Sequence, residues 1–575
     1  MRSATDGPSL ARLEGSLGDA LDQWGRVSPE EAVQHQLLGA PSPEVAARAV
    51  GVARALLRRH APAAALALLQ HAAPYCRADV LRELGRLAAA AGHTLGAFDA
   101  ARALVARAEE ANADDPELAR LHGTLSLAAA DFAHAEEALD RADARTPADD
   151  ARQRAANAAT RAELRYQQGR LDETESLARA AIDGCPDDDD TITQARNTLT
   201  KVFLVRRELD KGWDWSVQSI ERARARRATN EVLRGLINLG VVSIWRGDLD
   251  EAVRQFEAAR GVSQRGGSMM LRGVLRENEA VVAHLQGRYG DALSSYQEAL
   301  GILTRVGNRR FVARVAHNLG ELYVHVGEVA RARRLCDYAA QVAGGVGGAL
   351  SAEGLMLRAQ VEIADGRTDA ARAALADALG LFVAAGDAER QGHAHILLAR
   401  AALVDGDLDR AAASLGALAE EASLSPRTRA ERWLLDAELV RGRGGDPFGA
   451  ARKALELAEG TQDVDLRFRA QVAVALALLD RGDEPAARRH AVQAQALREV
   501  LLAKVPEGLR GVYATELGRT GVDALSSRLE LLAARPAVAA TARAASVAVD
   551  TMGLVGDSAA LRELRRRIAR VARRT

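Results

Sequence analysis

The chain has 575 residues, 48% apolar but only 3% aromatic, so a core must come from alanine, leucine and valine on helix faces. Its 77 basic and 78 acidic residues leave a net charge of -1, which excludes a global field for nucleic acid or an anionic membrane. No window approaches 18 uninterrupted apolar residues, which excludes a hydrophobic helical span.

Residues 1 to 40 are polar, with Leu17, Leu21 and Trp24 at helical spacing. They predict an N-terminal cap or the remnant of an upstream module. Arg2, Thr5 and Asp6 follow Met1 in place of a secretory signal, and a cytoplasmic location is expected. Cys76, Cys185 and Cys336 offer neither a disulfide framework nor a Cys-x-x-Cys metal spacing, so reduced thiols are expected.

Residues 41 to 500 repeat. Gly247, Gly287 and Gly327 recur in step with Asn238, Asn278 and Asn318, with Ala252, Ala292 and Ala332, with Phe256, Tyr296 and Cys336, and with Ala259, Ala299 and Ala339. A fixed period of this size means stacked helical units. Turn positions extend the register to about residue 60, then Gly92, Ala130, Gly169, Arg207, Gly366, Gly406, the 442 to 445 glycines and Gly482. Pro147 and Pro186 fall where the second helix of a unit must stop. Within one unit Gly247 suits a left-handed turn and Asp248 the cap of the next helix.

This column of Leu239-Gly240, Gly247, Ala252, Phe256 and Ala259 resembles the tetratricopeptide repeat. The resemblance implies an all-α, right-handed α-solenoid of about twelve helix pairs of 38 to 40 residues. The family's usual unit is about 34 residues, so each helix here gains roughly 4 to 5 Å at 1.5 Å per residue. Longer units of this kind resemble those that hold extended peptides or partner helices in bacterial regulators and motor light chains.

A catalytic centre is not assembled by the sequence. No Gly-Lys pair exists for a phosphate loop. His393 and His395, two apart on a helix, face different directions. Asp187 to Asp190 lack the spacing, glycine and distal glutamate of a calcium loop. The chain is therefore read as non-catalytic, with no cofactor and no metal. Trp213 and Trp215 are expected in core or inter-repeat packing, with a partner pocket as the alternative.

The resemblance places the asparagine column on the concave face, where a protein or peptide ligand is expected. Amides carry donors and an acceptor, so Asn238, Asn278 and Asn318 can bond the backbone of an extended peptide or, equally, neighbouring helices. Arg234, Arg314, His317 and Glu321 complete the candidate partner-binding set, with Trp245, Glu277, His284 and His325 on the same faces.

Beyond residue 500, residues 501 to 552 predict a helical cap or linker. Residues 553 to 575, opening Gly553-Leu554-Val555-Gly556-Asp557-Ser558 and continuing through Leu561-Arg562-Glu563, resemble the start of the AAA+ module of sigma-54-dependent transcription activators. The resemblance covers about 23 residues and ends before any phosphate loop. It implies the sensory part of a bacterial transcription regulator with an attached or associated AAA+ module; a free-standing scaffold is the alternative. The same tail also reads as an amphipathic arginine-rich cap, with Leu561, Leu564, Ile568 and Val571 on one face. Direct binding of nucleic acid or membrane is not expected.

Overall fold

The computed structural model describes residues 14–20, 28–129, 131–266, 268–306, 308–343, 349–418 and 424–529. Twenty-seven α-helices follow one another from Pro29 to Leu529, with no strand among the described residues. They form an all-α solenoid. Twelve helix pairs run from Pro43–Arg58 with Pro62–Ala72 to Val464–Asp480 with Glu484–Ala503.

The repeated columns explain the pairing. Ala252, Ala292, Ala332, Ala259 and Ala299 are fully buried, and Phe256 and Tyr296 fill the space between the two helices of their pairs. A Cβ added at Gly240 would lie 2.1 Å from the Phe256 ring, so that column needs its small residue for helix contact. Gly247 takes φ 82° at the turn, and Asp248 accepts the Glu251 amide at 2.9 Å to cap the second helix.

One turn departs from expectation. The first helix of the second pair continues to Leu95, and Gly96, not Gly92, carries the left-handed conformation. Gly92 is instead a packing residue, since a Cβ there would lie 2.2 Å from that of Ala101. Position 130 lies outside the described residues. His60 and Arg207 hold the positive φ at their turns without glycine.

The second helix of the last pair runs to Ala503, past the boundary expected at 500. Helices Glu507–Leu517 and Asp523–Leu529 follow, joined by a π-turn at Gly518–Val522. The stretch 553 to 575 that carries the AAA+ resemblance lies outside the described residues. No helix among the described residues is long and apolar enough to cross a membrane. Cys76, Cys185 and Cys336 are free thiols, and burial pushes Cys76 up to about 11, which keeps it protonated at neutral pH.

The solenoid winds back on itself. The amide of Asn308, 214 residues further along the chain, donates to the Thr94 carbonyl at 3.0 Å. Gln462 donates to Asp250 across 212 residues at 2.7 Å. Gly169 packs on the backbone of Ala384 and Ala385, and the Gly290 amide donates to the Lys504 carbonyl at 3.0 Å. In each case the turn within one pair meets the junction about five and a half pairs later. Successive superhelical turns therefore touch, and the groove between the first helices becomes a lumen.

Candidate functional site

The lumen is lined by the first helix of each pair. His93 lies within electrostatic reach of Glu163, Lys201, Arg234 and Arg310, four residues from four other helices. These side chains are accessible to water yet ringed by protein.

Most of the lumen charge is neutralised by one repeated device: a carboxylate on one first helix meets a cation on the next. Lys201 Nζ binds both Glu163 oxygens at 2.8 Å, 38 residues apart. Arg314 forks onto Glu277, its Nε at 2.7 Å, 37 residues apart. Arg390 reaches Glu353 at 2.7 Å, again 37 apart, and Arg469 reaches Glu431 at 3.2 Å, 38 apart. Burial alone raises the Glu163 carboxyl, but Lys201 and hydrogen bonds from Gln167 and Thr198 together bring it below the usual range. Glu431, opposed by burial, is likewise brought low by Arg427 and Arg469.

The asparagine column is half-buried and internally bonded. Asn238 Nδ2 donates to Asn197 Oδ1 at 3.2 Å. Asn278 Nδ2 donates to the Val274 carbonyl on its own helix at 2.8 Å. Asn318 Nδ2 donates to Glu277 Oε1 at 3.1 Å. Each amide thus has a donor engaged within the solenoid. His317 is 8% exposed with Nδ1 unpartnered and Nε2 3.6 Å from Glu321, which also accepts from Gln360 at 2.8 Å. Arg314 stacks on Phe311 with 4.7 Å to the ring centre. Arg234 is exposed to the lumen and makes no hydrogen bond.

The remaining candidates lie elsewhere. Trp245 carries Arg207 over its ring, and Trp213 and Trp215 carry Arg246 and Arg179, each pairing residues of adjacent units. Asp188 and Asp189 of the acidic run pair with Arg152 and Arg222. No group of His, Cys, Asp or Glu suited to a metal occurs among the described residues.

His284 and His325 belong to a second cluster, where one superhelical turn is stapled to the next. Tyr513 donates to the Tyr289 hydroxyl at 3.3 Å, and that oxygen lies 2.8 Å from His325 Nε2. The rings pack edge to face, Tyr289 on Tyr513 at 5.3 Å and His284 on His325 at 5.6 Å. Asp465 stands 3.7 Å from His325 and is held by Arg469 at 3.0 Å. Burial lowers both histidines, His284 well below the ordinary value. The staple was not legible from spacing, because its members come from three different helix pairs and the helix that follows them. The carboxylate-to-cation device did have a signal in the sequence: acid and base separated by one repeat.

Fold and lumen together define a helical-repeat scaffold with a polar, charge-matched interior. The tetratricopeptide repeat family matches residues 271–337. Among solved structures, a Rap protein complexed with competence and sporulation factor is similar over 62% of this chain and 100% of its own, at 11% identity and TM-score 0.45. The Cut9-Hcn1 hetero-tetramer is similar over 81% and 97%, at 14% identity and TM-score 0.39. A signal transduction ATPase with a tetratricopeptide repeat sensor, from Pyrococcus horikoshii, is similar over 66% and 63%, at 13% identity and TM-score 0.39. No curated protein sequence matches the chain significantly.

Proposed function

We propose that the chain binds a protein or peptide in its lumen and serves as the sensory part of a bacterial transcription regulator. The observation that carries binding is the enclosed polar lining: charged and amide groups from successive first helices, ordered at one repeat spacing, face a shared interior. Such a lining can bond an extended chain along its length. Regulation rests on the likeness of residues 553 to 575 to the opening of a sigma-54 activator AAA+ module. Because superhelical turns touch, a ligand that widens or tightens the lumen acts on those contacts, and so on whatever is joined after residue 553.

Photocrosslinking tests the binding surface. A benzophenone side chain at Asn278, in the lumen, is expected to trap a partner in cells, while one at Val383, exposed and 62% accessible, is not. Adducts from Val383 alone would refute a lumen ligand. The regulatory reading requires that lumen occupancy change ATP turnover by an AAA+ module joined after residue 575. Turnover indifferent to the ligand would leave the free-standing scaffold.

A further inference from the structure

At one junction the carboxylate-to-cation device keeps its cation and lacks its carboxylate. Glu277 lies ten positions before its turn at Gly287, and its partner Arg314 lies thirteen before Gly327. Two units earlier in the same register stand Asn197, ten before the turn at Arg207, and Arg234, thirteen before Gly247. The amide contact is kept: Asn318 donates to Glu277 at 3.1 Å, and Asn238 donates to Asn197 at 3.2 Å. Asn197 thus preserves the acceptor but not the charge, and Arg234 faces the lumen without the carboxylate that Arg314 has.

No other acid compensates. The acid that acts on Arg234 is Glu231 on its own helix, already engaged by Arg226 at 2.5 Å and by Thr193 at 3.0 Å. Arg310 is also without a hydrogen bond, and the acids in its reach, Glu163 and Glu353, are held by Lys201 and Arg390. Both guanidinium groups and His93 share one region of the interior. Burial weakens the charged form of both arginines, as expected for cations withdrawn from bulk water without a bonded counterion, and burial with the neighbouring cations lowers His93, so its imidazole is a neutral hydrogen-bonding group at neutral pH.

Resting on the reading of the lumen as a peptide site, we propose that Arg234, with Arg310 and His93, is the seat for an acidic side chain of an extended partner peptide. A guanidinium presents a planar fork that matches a carboxylate, and an incoming anion supplies the charge that Asn197 omits. The amides of Asn238 and Asn278 lie on the same lining to bond the peptide backbone. The arginine-rich stretch from Arg562 to Arg574 of this chain has the wrong sign to be the occupant.

The test uses the full chain and a fluorescein-labelled deca-glutamate peptide, read by anisotropy, with deca-glutamine as the neutral probe. The glutamate peptide is expected to bind, and Arg234→Gln to weaken it about tenfold or more. Asn197→Asp restores the internal pair seen at Glu277 and Arg314, so it is expected to weaken the glutamate peptide similarly without lowering the melting temperature. Arg254→Gln, on the outer face, controls for bulk charge and is expected to leave affinity unchanged. Equal affinity for the glutamine peptide would overturn the acidic seat and leave the peptide reading standing. Failure to bind either peptide, an equal loss in Arg254→Gln, or unchanged affinity in both lumen variants would also overturn the seat. Displacement by millimolar inorganic phosphate would replace the peptide with a small anion and overturn the proposed occupant.

Discussion

Tyr513→Ala removes a side chain that is 1% exposed, meets Tyr289 edge to face at 5.3 Å and donates to its hydroxyl at 3.3 Å. Truncating a buried aromatic to alanine costs about 3–5 kcal/mol, within which the hydrogen bond accounts for about 1 kcal/mol. Each pair touches only its neighbours and the turns above and below it. The loss therefore falls on the contact between the helix Glu507–Leu517 and the pair that contains Tyr289. Hydrogen exchange should rise about 10²- to 10³-fold in both segments, and small-angle scattering should show a longer, more open particle. Tyr513→Phe keeps the ring and should cost about 0.5–1.5 kcal/mol. Faster exchange confined to 507–517, with the Tyr289 helix and the scattering profile unchanged, would show that the staple does not hold the turns together.

Asn308 is 4% exposed; it caps its helix through the Phe311 amide and donates to the Thr94 carbonyl. Asn308→Ala should cost about 1–2 kcal/mol in thermal denaturation, while Asn308→Asp should keep the cap and lose the bridge between turns. Gly169→Ala should loosen the same kind of contact, because Gly169 has φ 76° and a Cβ there would lie 2.6 Å from the Ala384 carbonyl oxygen; faster exchange near residues 384–386 is the readout. Glu277→Gln leaves Arg314 without its counterion and should cost about 1–3 kcal/mol by chemical denaturation, less than for a fully buried pair because Arg314 reaches water. For His284 and His325 the folded form binds its proton less readily than the unfolded chain, whose value is near 6.5. The unfolded state then carries more protons as pH falls, so their contribution is intact above about 6.5 and is lost on acidification. Melting temperature should drop from pH 7.5 to 5.5, and less steeply in His325→Gln.

Much of the candidate site could be read before the fold was known, because the helix pairs stack in register. Residues one repeat apart become neighbours, which is why Asn238, Asn278 and Asn318 share one lining and why Arg314 and Glu277 meet across 37 residues. Asn197 escaped the strict column since it sits one position earlier relative to its turn, yet it is the residue Asn238 bonds. The internal partners of the amides were equally hidden, because each depends on a different neighbour.

The sequence by itself determined the all-α repeat, its turns near Gly247, Gly287 and Gly327, and the small columns where helices approach, since these follow from local backbone and packing demands. The tertiary structure alone decided that the superhelix closes on itself. That closure depends on how small rotations add over five to six pairs, and no single unit encodes their sum. Contacts such as Asn308 with Thr94, Gln462 with Asp250 and Tyr513 with Tyr289 lie more than 200 residues apart, beyond any periodic signal. The same closure turns an open groove into a lumen, where Arg234 without a carboxylate is a chemical fact and not another surface arginine.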